Sequence, residues 1–152
     1  MSLQELFSTF HDFDIVGLET KTEGLLMTLR IPWGELWGEY DFKIKVELKD
    51  GQITECKYFE HTGDANSLGQ QNGIYRITND LKTIVKLDLD IQRFETTKDG
   101  DYIFHCNGYD KVGGAQIRLQ ANNYKLLDLQ EKPISIDKYE SWHKVWWMKF
   151  YE

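Results

Sequence analysis

Residues 40–49 read YDFKIKVELK, and the side chains alternate in character without a break. Tyr40, Phe42, Ile44, Val46 and Leu48 fall on one side; Asp41, Lys43, Lys45, Glu47 and Lys49 fall on the other. Successive strand side chains point to opposite faces, so this pattern predicts an antiparallel strand with one face on a core and one in water. Lys49-Asp50-Gly51 follows, and an Asp-Gly after such a run predicts a hairpin turn. Residues 53–59 would then pair back on the first strand, with a bulge near Cys56, where the alternation slips.

Working outward, the same two-residue period returns several times. Ser2-x-x-Glu5 resembles a capping box, and Leu3, Leu6, Phe7 and Phe10 at helical spacing predict a short N-terminal helix. A strand is expected over 13–20, and another in which Leu25, Met27, Leu29 and Ile31 share a face until Pro32 stops the ladder. Residues 61–73 (HTGDANSLGQQNG) read as a long polar loop. Val85, Leu87, Leu89 and Ile91 predict one strand over 83–94, with a helix starting at Asn79 as the competing assignment. Lys98-Asp99-Gly100 repeats the turn signal and leads into Tyr102, Phe104 and Cys106. Further strands are expected around Ala115–Ala121 and at 126–129. In the tail, Tyr139, Trp142, His143, Trp146 and Phe150 line one broad helical face. The expectation is a single mainly β (α+β) domain over 1–152. It would be an antiparallel β-sandwich or strongly curved sheet of about eight strands, with a short N-terminal helix and a C-terminal helix packed on it.

Composition narrows the function classes. The 152 residues are enough for a core without staples, and they include five Trp, eight Tyr and eight Phe. Twenty-five acidic against 18 basic residues leave a net charge of -7, which argues against nucleic acid or an anionic membrane as partner. No apolar run approaches membrane-spanning length, and no leader-like start opens the chain. Cys56 and Cys106 lack metal-type spacing and are expected to be free, buried thiols in a reducing, cytoplasmic setting.

Chemistry-bearing motifs are sparse. His11-Asp12-x-Asp14 sets a histidine beside two carboxylates, the raw material of an acid/base or metal site and of a small hydrolase or isomerase. No second ligand cluster matches it, so no metal, cofactor or catalytic residue is assigned. His105 and Cys106 are neighbours on a predicted strand and face opposite ways, which rules them out as a nucleophile–base pair. Asp88-x-Asp90 shares a polar strand face with Lys86, as a solvated surface would. In the 61–73 loop, His61, Asp64 and Gln70 are the residues placed to meet a ligand.

Two aromatic groups remain: Trp33 and Trp37 in a loop with Glu35, Glu39 and Asp41, and Trp142, Trp146 and Trp147 near the C-terminus. A Gly-flanked loop is a poor place to hide two indoles, and exposed Trp is favoured at binding hot spots. Residues 1–50 hold ten acidic and five basic residues, whereas 123–152 hold five of each. The acidic excess thus lies in the same third as that loop, which suits a basic protein partner. The expected surface is Trp33, Glu35, Trp37, Glu39 and Asp41, on a monomer or weak homodimer. A rival reading has Trp33, Trp37 and Tyr40 stacking on a sugar or other flat ligand.

The opening FHDFDIVGLE, followed by hairpins of alternating strands and combined with the acidic composition, resembles the small β-rich immunity proteins of bacterial polymorphic-toxin systems. The likeness covers the first third of the chain and rests on His11-Asp12. It implies a cytoplasmic protein that binds and blocks a toxin and has no catalytic residues.

Overall fold

The computed structural model of the chain describes residues 1–65, 68–69 and 71–150. Among them, nine antiparallel strands form one sheet: β1 (Phe13–Lys21), β2 (Gly24–Arg30), β3 (Lys43–Lys49), β4 (Gln52–Ala65), β5 (Gln71–Thr78), β6 (Asp90–Thr96), β7 (Tyr102–Asn107), β8 (Val112–Gln120) and β9 (Asn123–Leu127). Their order is β5-β4-β8-β7-β6-β1-β2-β3-β9. Helix α1 (Leu3–Ser8) precedes the sheet, α2 (Leu81–Lys86) lies between β5 and β6, α3 (Ile136–Phe150) ends the described chain, and Pro32–Trp37 forms a 3-10 helix.

The decisive strand forms over Lys43–Lys49, shorter than the expected 40–49: Tyr40–Phe42 belong to the turn that follows the 3-10 helix, and Tyr40 is 76% exposed rather than on the core face. Ile44, Val46 and Leu48 are fully buried, while the lysines and Glu47 between them keep some access to water. Its turn does something else. Strand β3 does not pair with β4; it pairs with β2 and β9, while β4 pairs with β8 and β5. At Asp50-Gly51 the chain turns a corner, and at Ala121-Asn122 the strand pair β8–β9 lying beside it turns too. The register runs straight through, with Lys49 opposite Asn123 on one side and Gln52 opposite Gln120 on the other. The expected hairpin is therefore a bent two-stranded ribbon. Asn122 holds the corner, its backbone N–H donating to Lys49 O at 3.0 Å and its side chain to Asp50 Oδ2 at 2.7 Å. Gly51 is required there, because a Cβ would lie 2.7 Å from both the Leu48 oxygen and the Leu48 Cβ.

The halves of the sheet also meet at a short seam, where Phe13 faces Ile91 and Asp14 faces Asp90. Bent at the ribbon and joined at the seam, the sheet curls around one core rather than stacking as a sandwich. Phe13, Met27, Val46, Cys56, Phe104, Ile117 and Leu126 come from seven strands and belong to a single buried cluster. Strand β4 keeps both Ile53 and Cys56 inside because its register against β8 shifts between Ile53 and Glu55, which is the bulge expected near Cys56. Ser2 Oγ accepts from Glu5 N at 3.1 Å, and α1 adds Leu3, Leu6 and Phe7 to the core.

Two expectations over the middle of the chain are corrected. Residues 83–94 are not one strand. Asp80 caps α2 through Thr83 N at 3.0 Å, the helix ends at Lys86, Asp88 turns with φ 51°, and β6 begins at Asp90. The side-chain cap outweighed the β-branched run, and Ile84 reaches the core from a helix. The 61–73 loop is largely hairpin, because β4 extends to Ala65 and β5 starts at Gln71. Strand β5, with Ile74, Tyr75 and Ile77, adds an edge strand that the sequence pattern does not announce. The C-terminal helix forms as expected and buries Tyr139 completely.

Candidate functional site

The aromatic loop separates into two layers. Pro32 at the first turn sets the 3-10 helix, which ends at Gly38 with φ 81°. This turns Trp33 inward: it is 1% exposed, with ring centroids 5.2 Å from Phe13, 5.1 Å from Tyr139 and 5.3 Å from His143. Trp33 is thus a core residue and is removed from the contact surface. Helix α3 made the difference, since it covers the loop that sequence alone left open. Trp37 remains 42% exposed, its indole resting on Phe42 and Trp142 at centroid distances of 5.2 and 6.0 Å. Tyr40 is 76% exposed. Trp33, Trp37 and Tyr40 therefore cannot line one ligand pocket.

The acidic rim separates as well. Asp41 accepts from Arg30 Nε at 2.9 Å and from Lys43 Nζ at 3.1 Å, and the Arg30 hydrogen bond foremost holds its carboxyl below the usual carboxylate range. Glu35 and Glu39 are exposed, and neither has an ion-pair partner among the described residues. Free negative charge beside exposed aromatics comes from these two.

Arg30 also reaches Asp14 Oδ2, at 3.3 Å, and so ties the His11 motif to the aromatic loop. His11 Nδ1 lies 2.8 Å from Gln92 O and its Nε2 3.3 Å from Asp12. His11 Nδ1 faces the Gln92 carbonyl, Asp12 Oδ1 accepts from Gln92 Nε2 at 3.3 Å, and Asp14 pairs with Arg30, so the motif ties β1 to β6 across the seam. Facing Asp14 across the seam, Asp90 has a raised pKa, caused first by burial and opposed by a hydrogen bond from Gln92. Among the described residues, no group of three or more His, Cys, Asp or Glu side chains is placed to hold a metal ion.

Of the expected ligand loop, His61 lies on β4 with its ring 5.4 Å from Phe59. Its Nδ1 is buried and has no hydrogen-bond partner among the described residues. Asp64 belongs to β4, and Gln70 lies outside the described residues.

Hollows lie elsewhere among the described residues. A trough of about 1030 Å³ runs between the β1–β2 tip, the Asp50-Gly51 corner and the start of α2. Lys21 and Lys82 alternate there with Glu19, Glu23 and Asp80, and Asp80 is already committed to capping α2. The second, about 470 Å³, lies on the outer face of the sheet beside Phe59 and Tyr75. Sequence reading missed it, although Gly113-Gly114 inside a strand is a signal of open space above the backbone. No family model matches the chain, and neither the curated proteins nor the solved structures provide a significant match.

Proposed function

We propose that the chain is a non-enzymatic binding protein that docks on a basic protein through Trp37, Tyr40, Glu35 and Glu39, in the manner of a toxin-neutralising immunity protein. One observation carries the reading. Trp37, resting on Phe42 and Trp142, and Tyr40 nearby in the chain stay exposed beside Glu35 and Glu39, two carboxylates without an ion-pair partner among the described residues. Large, pre-positioned rings rimmed by free charge are what a protein hot spot needs, because little side-chain entropy is lost on binding. The net charge of -7 adds long-range steering toward a cationic partner. A cytoplasmic setting belongs to the same proposal and is supported by the two free, buried thiols.

The test is co-purification from the native host, followed by titration calorimetry with the captured protein. The partner is expected to be basic. Trp37→Ala should weaken it by about 2 kcal/mol, as truncating a central aromatic does. Glu35→Gln with Glu39→Gln should mainly slow association and flatten its salt dependence. An acidic partner, or full affinity in Trp37→Ala with Tyr40→Ala, would overturn the proposal.

A further inference from the structure

Across the outer face of the sheet, strand register sets side chains in rows. Lys57 on β4 faces Gln116 on β8, which faces His105 on β7. One step along, Tyr75 on β5 faces Phe59 on β4, but β8 continues with Gly113-Gly114 and offers no side chain. The missing side chains leave the pocket of about 470 Å³, a size suited to a small ligand.

Its walls are chemically distinct. Phe59 and Tyr75 meet edge to face, centroids 5.2 Å apart, and present an apolar side. Lys57 Nζ sits 4.9 Å from the Tyr75 centroid, and His105 Nε2 is held by Glu95 Oε1 at 3.0 Å. Although the chain has 25 acidic residues, none of the residues that line this hollow is Asp or Glu. A strongly acidic protein thus has a hollow lined by a lysine, an amide and a histidine, and the carboxylate of Glu95 meets it only through His105.

We propose that this pocket binds a small planar aromatic carboxylate. The ring lies over Gly114 against Phe59 and Tyr75, and the carboxylate meets Lys57 and Gln116. The site uses none of the residues assigned to partner docking, so either reading can fail without the other.

The test uses 2-naphthoate and its neutral isostere 2-naphthamide, followed by calorimetry and by amide NMR shifts of Gly113, Gly114 and Gln116. Naphthoate should bind one site per chain, about fivefold or more tighter than the amide, because the charge-assisted contact is lost in the isostere. Gly114→Val fills the space above β8. A Cβ at Gly114 has only the Cys106 oxygen, at 3.6 Å, as a neighbour, so the fold should accept it. Affinity should fall about tenfold or more, with the thermal midpoint kept. Lys57→Gln should remove the preference for naphthoate while leaving naphthamide unchanged, and it decides the matter if Gly114→Val fails to fold. Absence of saturable binding, equal affinity for acid and amide, or undiminished binding in Lys57→Gln would overturn the proposal.

Discussion

At the scale of single residues, two tryptophans four positions apart have opposite roles. Trp33 is sealed between Phe13, Tyr139 and His143, so Trp33→Ala leaves a cavity that rigid neighbours cannot fill. A loss of about 3–5 kcal/mol is expected in urea unfolding. Trp37 rests on the surface, and Trp37→Ala should cost only about 1 kcal/mol. A cost near that of Trp33 would make it a core residue and end its claim to binding. His143 adds a pH dependence. It accepts the Trp147 indole N–H at Nε2, and burial pushes its pKa below 6.5. A lowered folded pKa means that the unfolded chain takes up the proton first. The stabilising contribution is therefore whole above 6.5 and is lost as pH falls through that value toward the folded pKa. The urea midpoint should drop between about pH 7.5 and about pH 5.5, and His143→Gln should remove part of that drop. An unchanged drop in the variant would show that other groups carry it.

At the scale of elements, the same tripeptide makes two different structures. Lys98-Asp99-Gly100 closes a true hairpin, with Thr96 opposite Tyr102 and Gly100 at φ 84°. Lys49-Asp50-Gly51 bends a ribbon instead, with Asp50 at φ 53° and Gly51 N–H donating to Leu48 O at 3.0 Å. Turn residues fix the local backbone but not which strands lie beside the exit. Gly51→Ala would force a methyl against Leu48, and overpacking of that kind costs about 1–3 kcal/mol. Gly100 has nothing within 4 Å of the corresponding position, so Gly100→Ala should show the φ penalty alone. Chemical denaturation of both variants makes the comparison. Equal losses would refute the corner as the site of close packing.

At the scale of the whole molecule, the curled sheet keeps both cysteines out of reach. Burial pushes the Cys56 thiol up to about 12, and Cys106 is raised by the same cause. Since the thiolate is the reactive form, neither should react with a disulfide reagent in the native state within minutes, and both should react once unfolded. Rapid native labelling of either would contradict the buried assignment. Sequence periodicity by itself determined which residues of β3, β7 and β8 face the core, where α1 starts and which face of α3 is aromatic, because these depend on neighbours along the chain. It did not determine that β3 pairs with β9, that a second helix interrupts 83–94, or that Trp33 is covered while Trp37 is not. Those outcomes depend on segments far apart in sequence: Asn122 reaching back to Asp50, and Tyr139 closing over a loop about a hundred residues earlier. The outer pocket belongs to the same class, since Lys57, Tyr75, His105 and Gly114 become neighbours only through strand register.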